Sequence, residues 1–398
     1  METREQEPAE GMVWHADWLH DGAALTRGAG LWVQGGRVRA VLPPGAALPR
    51  GVARRALGAG GIVPGFVDLQ VNGGGGEMLG AGADAAMIAR LCAVHARLGA
   101  TGILPTLITD RAEVTRAVIA AGVAAHRQGV AGFLGLHLEG PHLDPARAGA
   151  HDPGLIRPMT AEDLALYCQA ARALPALMLT LAPEAASPEQ IATLARAGVI
   201  VALGHSDCSA QAAQAAQKAG ARVVTHLFNA MSPFTHRAPG LTGVALDQDR
   251  LACGLIADGW HAAPQALRLA LRAKPEDALF LVSDAMALAG SVAESFDLGG
   301  RPIHREAGAG GQPGRLTLAD GTLAGADLTL PQAVALLVSV GAEPARAVAM
   351  ASRVPAQVIG AQAGRLLPGA QADFLHMGED WTLRGVWRAG MAVAPAQR

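Results

Sequence analysis

Short, nearly unbroken apolar runs alternate along the middle of this chain with longer segments in which apolar residues recur every three or four positions. The runs cover residues 62–71, 102–108, 133–138, 177–181, 199–203, 222–227, 252–256 and 279–283. A run without polar alternation predicts a strand covered on both faces, as in a parallel sheet. The segments between them, 84–98, 111–127, 160–174, 189–197, 209–219 and 264–272, are alanine-rich and carry a helical period. Eight strands, most separated by helices, predict an α/β fold, a (β/α)8 TIM-like barrel. An open doubly wound sheet is the alternative. Against it, no GxGxxG follows the first strand, and polar residues stand at the ends of too many strands.

The chain ends have another rhythm. Residues 12–19, 31–33 and 37–42 near the start, and 373–377, 383–387 and 391–393 near the end, are short, half-polar strand patterns. Gln34-Gly35-Gly36 joins two of them as a hairpin turn. They predict a small β-sandwich domain made from 1–62 and 366–398, beside a barrel domain over 63–365. Segment 287–320 contains Gly299, Gly300, Gly308, Gly310, Gly311 and Gly314 without clear periodicity, and reads as a mobile loop or an inserted hairpin. Helices resume at 331–340 and 344–352.

Composition narrows the function classes. At 51% hydrophobic residues and mean hydropathy +0.25, a membrane must be considered. No apolar run reaches the roughly 18 residues of a spanning helix, and Met1–Glu10 is charged without the apolar centre of a signal peptide. The four cysteines, Cys92, Cys168, Cys208 and Cys253, are scattered with no CxxC pair. That excludes a disulfide framework and a cysteine zinc knuckle, and fits a reducing cytoplasm. Net charge is -2 with no basic stripe, which argues against nucleic acid as the partner.

The candidate chemistry lies at the strand ends, where barrel enzymes place it. Six ends carry acids, imidazoles or amides: Gln70 and Asn72; His137, Glu139 and His142; His205 and Asp207; His226 and Asn229; Asp258 and His261; Asp284. Glu139, His205 and His226 form the best ligand set, since two imidazoles and a carboxylate make a common catalytic zinc shell. The competing reading makes each a structural polar residue beside a turn. Asp284, just past an apolar run, can take a proton from water and pass it to a leaving nitrogen; a helix cap is the alternative. His151, in the loop after the third strand, could stabilise an oxyanion, or simply face solvent. His137 lies on the side of its strand that Glu139 uses, and His142 reads as surface or wall. Arg237, in a long loop, suits an anionic group, and His261 could help it. Gln70 and Asn72 stand where many metallohydrolases of this kind have His-x-His, and strand four offers no lysine to bridge two ions. Both absences favour one metal, because amides bind zinc poorly compared with imidazole.

Phe66-Val67-Asp68-Leu69-Gln70-Val71-Asn72-Gly73, His137-Leu138-Glu139-Gly140-Pro141, Leu203-Gly204-His205-Ser206, Thr225-His226-Leu227-Phe228-Asn229-Ala230-Met231, Ile256-Ala257-Asp258-Gly259-Trp260-His261 and Val282-Ser283-Asp284-Ala285-Met286 resemble the N-acetylglucosamine-6-phosphate deacetylases of the amidohydrolase superfamily. The resemblance runs from about residue 30 to the end. It implies hydrolysis of N-acetylglucosamine 6-phosphate to glucosamine 6-phosphate and acetate. It implies one divalent metal ion per subunit, Zn²⁺ on the ligand chemistry, held by Glu139, His205 and His226, with Asp284 as acid/base and His151 on the amide carbonyl. It also implies Arg237 and His261 around the sugar phosphate, Asn229 and Ala230 on the substrate, and Gln70 and Asn72 in the single-metal branch beside it. The partners expected are the small sugar phosphate and a second copy of the chain, in a homodimer whose Arg237 could serve the neighbouring site. Two alternatives stay open. One is a deacetylase of a galactosamine or mannosamine phosphate, or of another N-acyl amine; the other is a barrel without catalysis that serves as a binding protein.

Overall fold

The computed structural model describes residues 11–48, 50–308 and 312–394. The charged stretch Met1–Glu10 and Gly310-Gly311 lie outside the described residues. Eight parallel strands follow one another in spatial order: β1 Phe66–Val71, β2 Ala100–Leu107, β3 Leu136–Glu139, β4 Leu177–Leu181, β5 Ile200–Leu203, β6 Val223–Val224, β7 Ala252–Leu255 and β8 Leu279–Leu281. The barrel closes where Val71 pairs in parallel with Ala285 and the Asp284 N–H donates to the Gln70 carbonyl at 3.1 Å. The strands are buried on both sides because helices cover their outside and side chains fill the inside.

The helices begin where the sequence offers caps. Asp84 accepts from the Met87 N–H ahead of α1 (Ala85–Arg97), whose Ile88, Leu91, Cys92 and His95 are buried at the spacing of one helical face. Ser187 and Gln190 form a reciprocal capping box, with Pro188 in the first turn of the helix Pro188–Arg196. Removing the Ser187 hydroxyl would cost about 1 kcal/mol.

The chain ends build two sheets. One holds Met12–His15, Gly30–Gln34, Arg37–Leu42 and Ala53–Ala56. The other orders Met391–Ala392, Leu383–Arg388, Phe374–Met377, Gly61–Pro64, Trp18–His20 and Leu25–Arg27. Their shared core contains Trp14, Leu31, Val38, Ile62, Phe374 and Trp387. Phe374 and Trp387 stack at 4.9 Å with 3° between their planes, an arrangement worth about 0.5–1.5 kcal/mol beyond area burial. The run 62–71 is therefore two strands. Pro64 ends one in the sandwich and Phe66 starts the other in the barrel, and both are buried, so no polar residue marks the break.

Segment 287–320 differs most from expectation. It enters an antiparallel four-stranded sheet, β9 Ser295–Leu298, β10 Arg301–Glu306, β11 Gly314–Thr317 and β12 Leu323–Asp327. Its core of Leu298, Ile303, Leu316 and Ala324 packs with Met286 and Leu288, beside the end of β8. No described helix is long and apolar enough to cross a membrane.

Candidate metal and hydrolytic site

Three donor atoms converge at the C-terminal mouth of the barrel. His205 Nε2 lies 3.0 Å from His226 Nε2, His226 Nε2 lies 3.1 Å from Glu139 Oε1, and His205 Nε2 lies 3.3 Å from the same oxygen. Ligands about 2.0–2.1 Å from a tetrahedral zinc would stand roughly 3.3–3.4 Å apart. Hydrogen bonding alone cannot satisfy this triangle. His205 Nδ1 lies 2.8 Å from the Arg147 carbonyl, which only accepts, so Nδ1 carries the proton and Nε2 presents a lone pair. That lone pair faces a carboxylate oxygen. A single proton on His226 serves at most one of the remaining edges, whereas a cation at the centre serves all three. The residues present fit a divalent metal.

The backbone is bent to aim these groups. His205, His226 and Asp284 have φ of 48°, 31° and 50°, and Phe228 and Ala230 follow at 81° and 47°. Non-glycine residues in the left-handed region cost of order 1–3 kcal/mol each and cluster at functional sites. The chain turns sharply as it leaves β5, β6 and β8, which swings each side chain over the barrel axis.

Asp284 and Glu139 are buried and share a polar bracket. Asn72 Nδ2 donates to Asp284 Oδ1 at 2.7 Å. Gln70 Nε2 lies 3.1 Å from that oxygen and 3.1 and 3.2 Å from the two Glu139 oxygens. Residues 70 and 72 therefore present their amides as donors to carboxylates. Gln70 stands behind these carboxylates and is not among the residues lining the cavity in front of them. Burial, with the Glu139 charge acting in the same direction, pushes Asp284 up to about 6.

His151 is a buried neighbour, and one of its ring nitrogens lies within 4.8 Å of donor atoms on Glu139 and His205. Its Nδ1 accepts from the Thr109 backbone N–H at 3.2 Å, so the ring proton sits on Nε2. Nε2, 3.9 Å from Glu139 Oε2, is thus a donor into the cavity, whereas His226 completes the tight triangle. Burial keeps His151 uncharged, lowering it to about 3. His261 has the opposite tautomer. Its Nδ1 lies 2.6 Å from Asp258 Oδ2 and carries the proton between them, and Asp258 Oδ1 accepts the N–H groups of Trp260 and His261 at 2.8 Å each.

These groups line a cavity of about 380 Å³ that includes Asn72, Glu139, His151, His205, His226, Asn229, Ala230, His261 and Asp284. Arg237 is absent from the lining and lies in the exposed stretch 233–238. Arg147, which sequence reading missed, is the permanently cationic side chain of the lining among the described residues. Its guanidinium is held by Asp207 at 2.6 Å. Trp260 also stays outside the lining, capped by the Arg315 guanidinium 5.0 Å from its ring. His142 is fully buried rather than a surface residue, with its ring nitrogens 3.1 Å from the Arg157 carbonyl and from the Tyr167 hydroxyl.

Comparison with known proteins agrees with this geometry. The amidohydrolase family matches residues 62–393. The chain is 37% identical to human N-acetylglucosamine-6-phosphate deacetylase over 388 residues, 91% of each protein. It is 38% identical over 348 residues to N-acetylgalactosamine-6-phosphate deacetylase from Shewanella sp. (strain ANA-3), covering 86% of this chain and 85% of that one. The crystal structure of N-acetylglucosamine-6-phosphate deacetylase from Pasteurella multocida superposes with TM-score 0.89 at 30% identity, covering 96% of this chain and 99% of the other. A barrel with a histidine–carboxylate cluster at its mouth and a family match over most of its length lead to one conclusion: the chain belongs to the amidohydrolase family of metal-dependent hydrolases.

Proposed function

We propose that this chain hydrolyses the acetamide of N-acetylglucosamine 6-phosphate, giving glucosamine 6-phosphate and acetate. The observation that carries the reading is the donor triangle of Glu139, His205 and His226 sharing one cavity with the raised carboxyl of Asp284. Relatives that bear this activity in their names support it.

A single divalent ion, read as Zn²⁺ from its ligands, would be held by Glu139, His205 and His226, and when bound it supplies Lewis acidity toward water and an amide carbonyl. Asp284 accepts the proton of the attacking water and returns it to the amine nitrogen as the C–N bond breaks, so no net proton stays on the protein. Burial raises the Asp284 carboxyl from its ordinary value, which makes it a better proton acceptor than an exposed carboxylate. His151 Nε2–H donates to the carbonyl oxygen as negative charge develops there. His261, oriented by Asp258, lines the cavity where the sugar would lie. Arg147 offers the phosphate a charge from within the same chain, and Arg237 offers one across a homodimer. Its exposed loop, with Phe234 60% exposed, supports that pairing. Residues 63–365 serve as the catalytic unit in this reading, and 1–62 with 366–398 as the β unit. The compartment that fits its free cysteines is the cytoplasm.

The galactose epimer is a second reading, favoured by the Shewanella relative. Acetate release from the 6-phosphates of N-acetylglucosamine, N-acetylgalactosamine and N-acetylmannosamine separates the two. The proposal expects the gluco epimer to have the highest kcat/KM. A higher value for the galacto epimer would establish the second reading, and no acetate from any of them would overturn both.

A further inference from the structure

The inserted sheet lines part of the cavity with Thr322, Leu323 and Gly325, and two hydrogen bonds tie it to backbone carbonyls of the site. In one, the Ala326 N–H donates to the Asp284 carbonyl at 2.9 Å. In the other, Arg301 Nη2 donates to the Ala150 carbonyl at 2.6 Å, across 151 residues of sequence. That carbonyl belongs to the peptide bond leading into His151. We infer that the sheet braces the two groups flanking the substrate amide, and that Arg301 is the positioning residue for His151. The inference rests on the role proposed above for His151.

The register of β9 and β10 determines where Arg301 sits. Gly299 and Gly300 have φ of 59° and 80°, the conformation of a two-residue hairpin turn that other residues adopt at a cost. Asp297 Oδ1 accepts the Gly300 N–H at 2.8 Å, and Leu298 pairs with Arg301 directly across the turn. Leu298 and Ile303 then bury into the sheet's core, against which Ala150 and Ile108 also pack. Arg305 locks the sheet to the segment after Asp284 through the Leu288 carbonyl at 2.6 Å, and to β12 of the same sheet through Asp327 at 2.9 Å.

His151 is consequently held from three sides. Its N–H donates to the Ala148 carbonyl at 3.0 Å, its Nδ1 accepts from Thr109, and the peptide before it is gripped by Arg301. Within the β3 loop that peptide is held through its N–H alone, and its carbonyl is held from outside the loop by Arg301. Without the guanidinium, the turn at residues 148–151 could rotate and tilt the imidazole away from the carbonyl it serves.

Misplacing a catalytic group by about 1 Å costs on the order of 100-fold in rate. Arg301→Ala should therefore lower kcat by about 10- to 100-fold, with KM within about 3-fold and metal content unchanged. Arg301→Lys, which can still reach the carbonyl, should recover most of the loss. A double-mutant cycle supplies the specific readout. In a His151→Asn background, Arg301→Ala should cost less than about 3-fold, because the group it positions is gone. An equal loss in both backgrounds would overturn the inference. So would unchanged His151 ring ¹⁵N shifts in substrate-free Arg301→Ala protein. The ring shifts need no turnover, so they decide the role of Arg301 even if wild-type protein releases no acetate, which would sink the functional reading alone.

Discussion

Asn72→Leu isolates the group that tunes Asp284. The asparagine amide donates to Asp284 Oδ1 at 2.7 Å, and its own Oδ1 has no partner, so a leucine of similar size removes one charge-assisted hydrogen bond and little else. The backbone bond from the residue-72 N–H to the Ala285 carbonyl at 2.8 Å is retained. A hydrogen bond to a charged group is worth about 1.5–3 kcal/mol, and 1.36 kcal/mol corresponds to one pH unit. Losing it disfavours the carboxylate, so the acid limb of kcat/KM should move up by about one to two pH units. Gln70 still donates to the same oxygen, which places the expected shift in the lower half of that range. The sign follows from the role: protonated Asp284 cannot accept a proton from water, so raising its pKa carries the loss of activity to higher pH. The wild-type limb should lie at or below about pH 6, since a bound cation lowers a carboxyl that stands near 6 without it. The assay is kcat/KM for acetate release across pH 5–9, with metal content matched. An unmoved limb with a lower plateau would refute Asp284 as the titrating base.

Two further predictions concern the layers beneath the site. Asp68 is fully buried and accepts the backbone N–H groups of Gln70 and Ser283, and burial pushes it up to about 7. A raised folded-state pKa stabilises the protein below the unfolded value near 4, and that stability is lost as pH rises through about 7. The gain of Asp68→Asn over wild type in chemical denaturation should therefore grow from about 1.5 kcal/mol at pH 5 to about 4 kcal/mol at pH 8.5; an equal difference at both pH values would contradict this. Thr180 Oγ1 lies 2.7 Å from His137 Nε2 and 2.6 Å from Thr225 Oγ1, while His137 Nδ1 donates to the Leu69 carbonyl at 3.0 Å. Thr180→Val leaves a buried acceptor unpaired at about 1–3 kcal/mol. Tm should fall by a few degrees and recover in Thr180→Ser; an unchanged Tm would show that this chain of hydrogen bonds is not structural.

The barrel could be read from the chain because doubly buried strands leave long apolar runs, and the site because its residues punctuate the ends of those runs. Glu139, His205, His226 and Asp284 each interrupt an apolar pattern, and His137 shares the Glu139 side of β3 through simple alternation. Other features left weaker marks. β6 is only Val223–Val224, because Thr225 and His226 already turn toward the axis, so the apolar run overstates the strand. The inserted sheet is half exposed, with glycines at its turns, and its small core is completed by Met286 and Leu288 from outside it. No local period can report such a partnership. Arg147 lies in a loop with no periodic signal, and its place in the cavity depends on Asp207, 60 residues away. The tautomers of His151 and His261 depend on Thr109 and Asp258. The second was within reach of sequence, since Asp258 and His261 lie three residues apart around a glycine turn.

The proposed amide hydrolysis depends most on one ion at the Glu139–His205–His226 triangle. Titrating metal-free protein with Zn²⁺ while following acetate release from N-acetylglucosamine 6-phosphate tests this directly. Activity should climb linearly to one equivalent and stay flat beyond it, and a His205→Ala variant should show no such rise. Full activity in the metal-free protein, or a break at two equivalents, would contradict it.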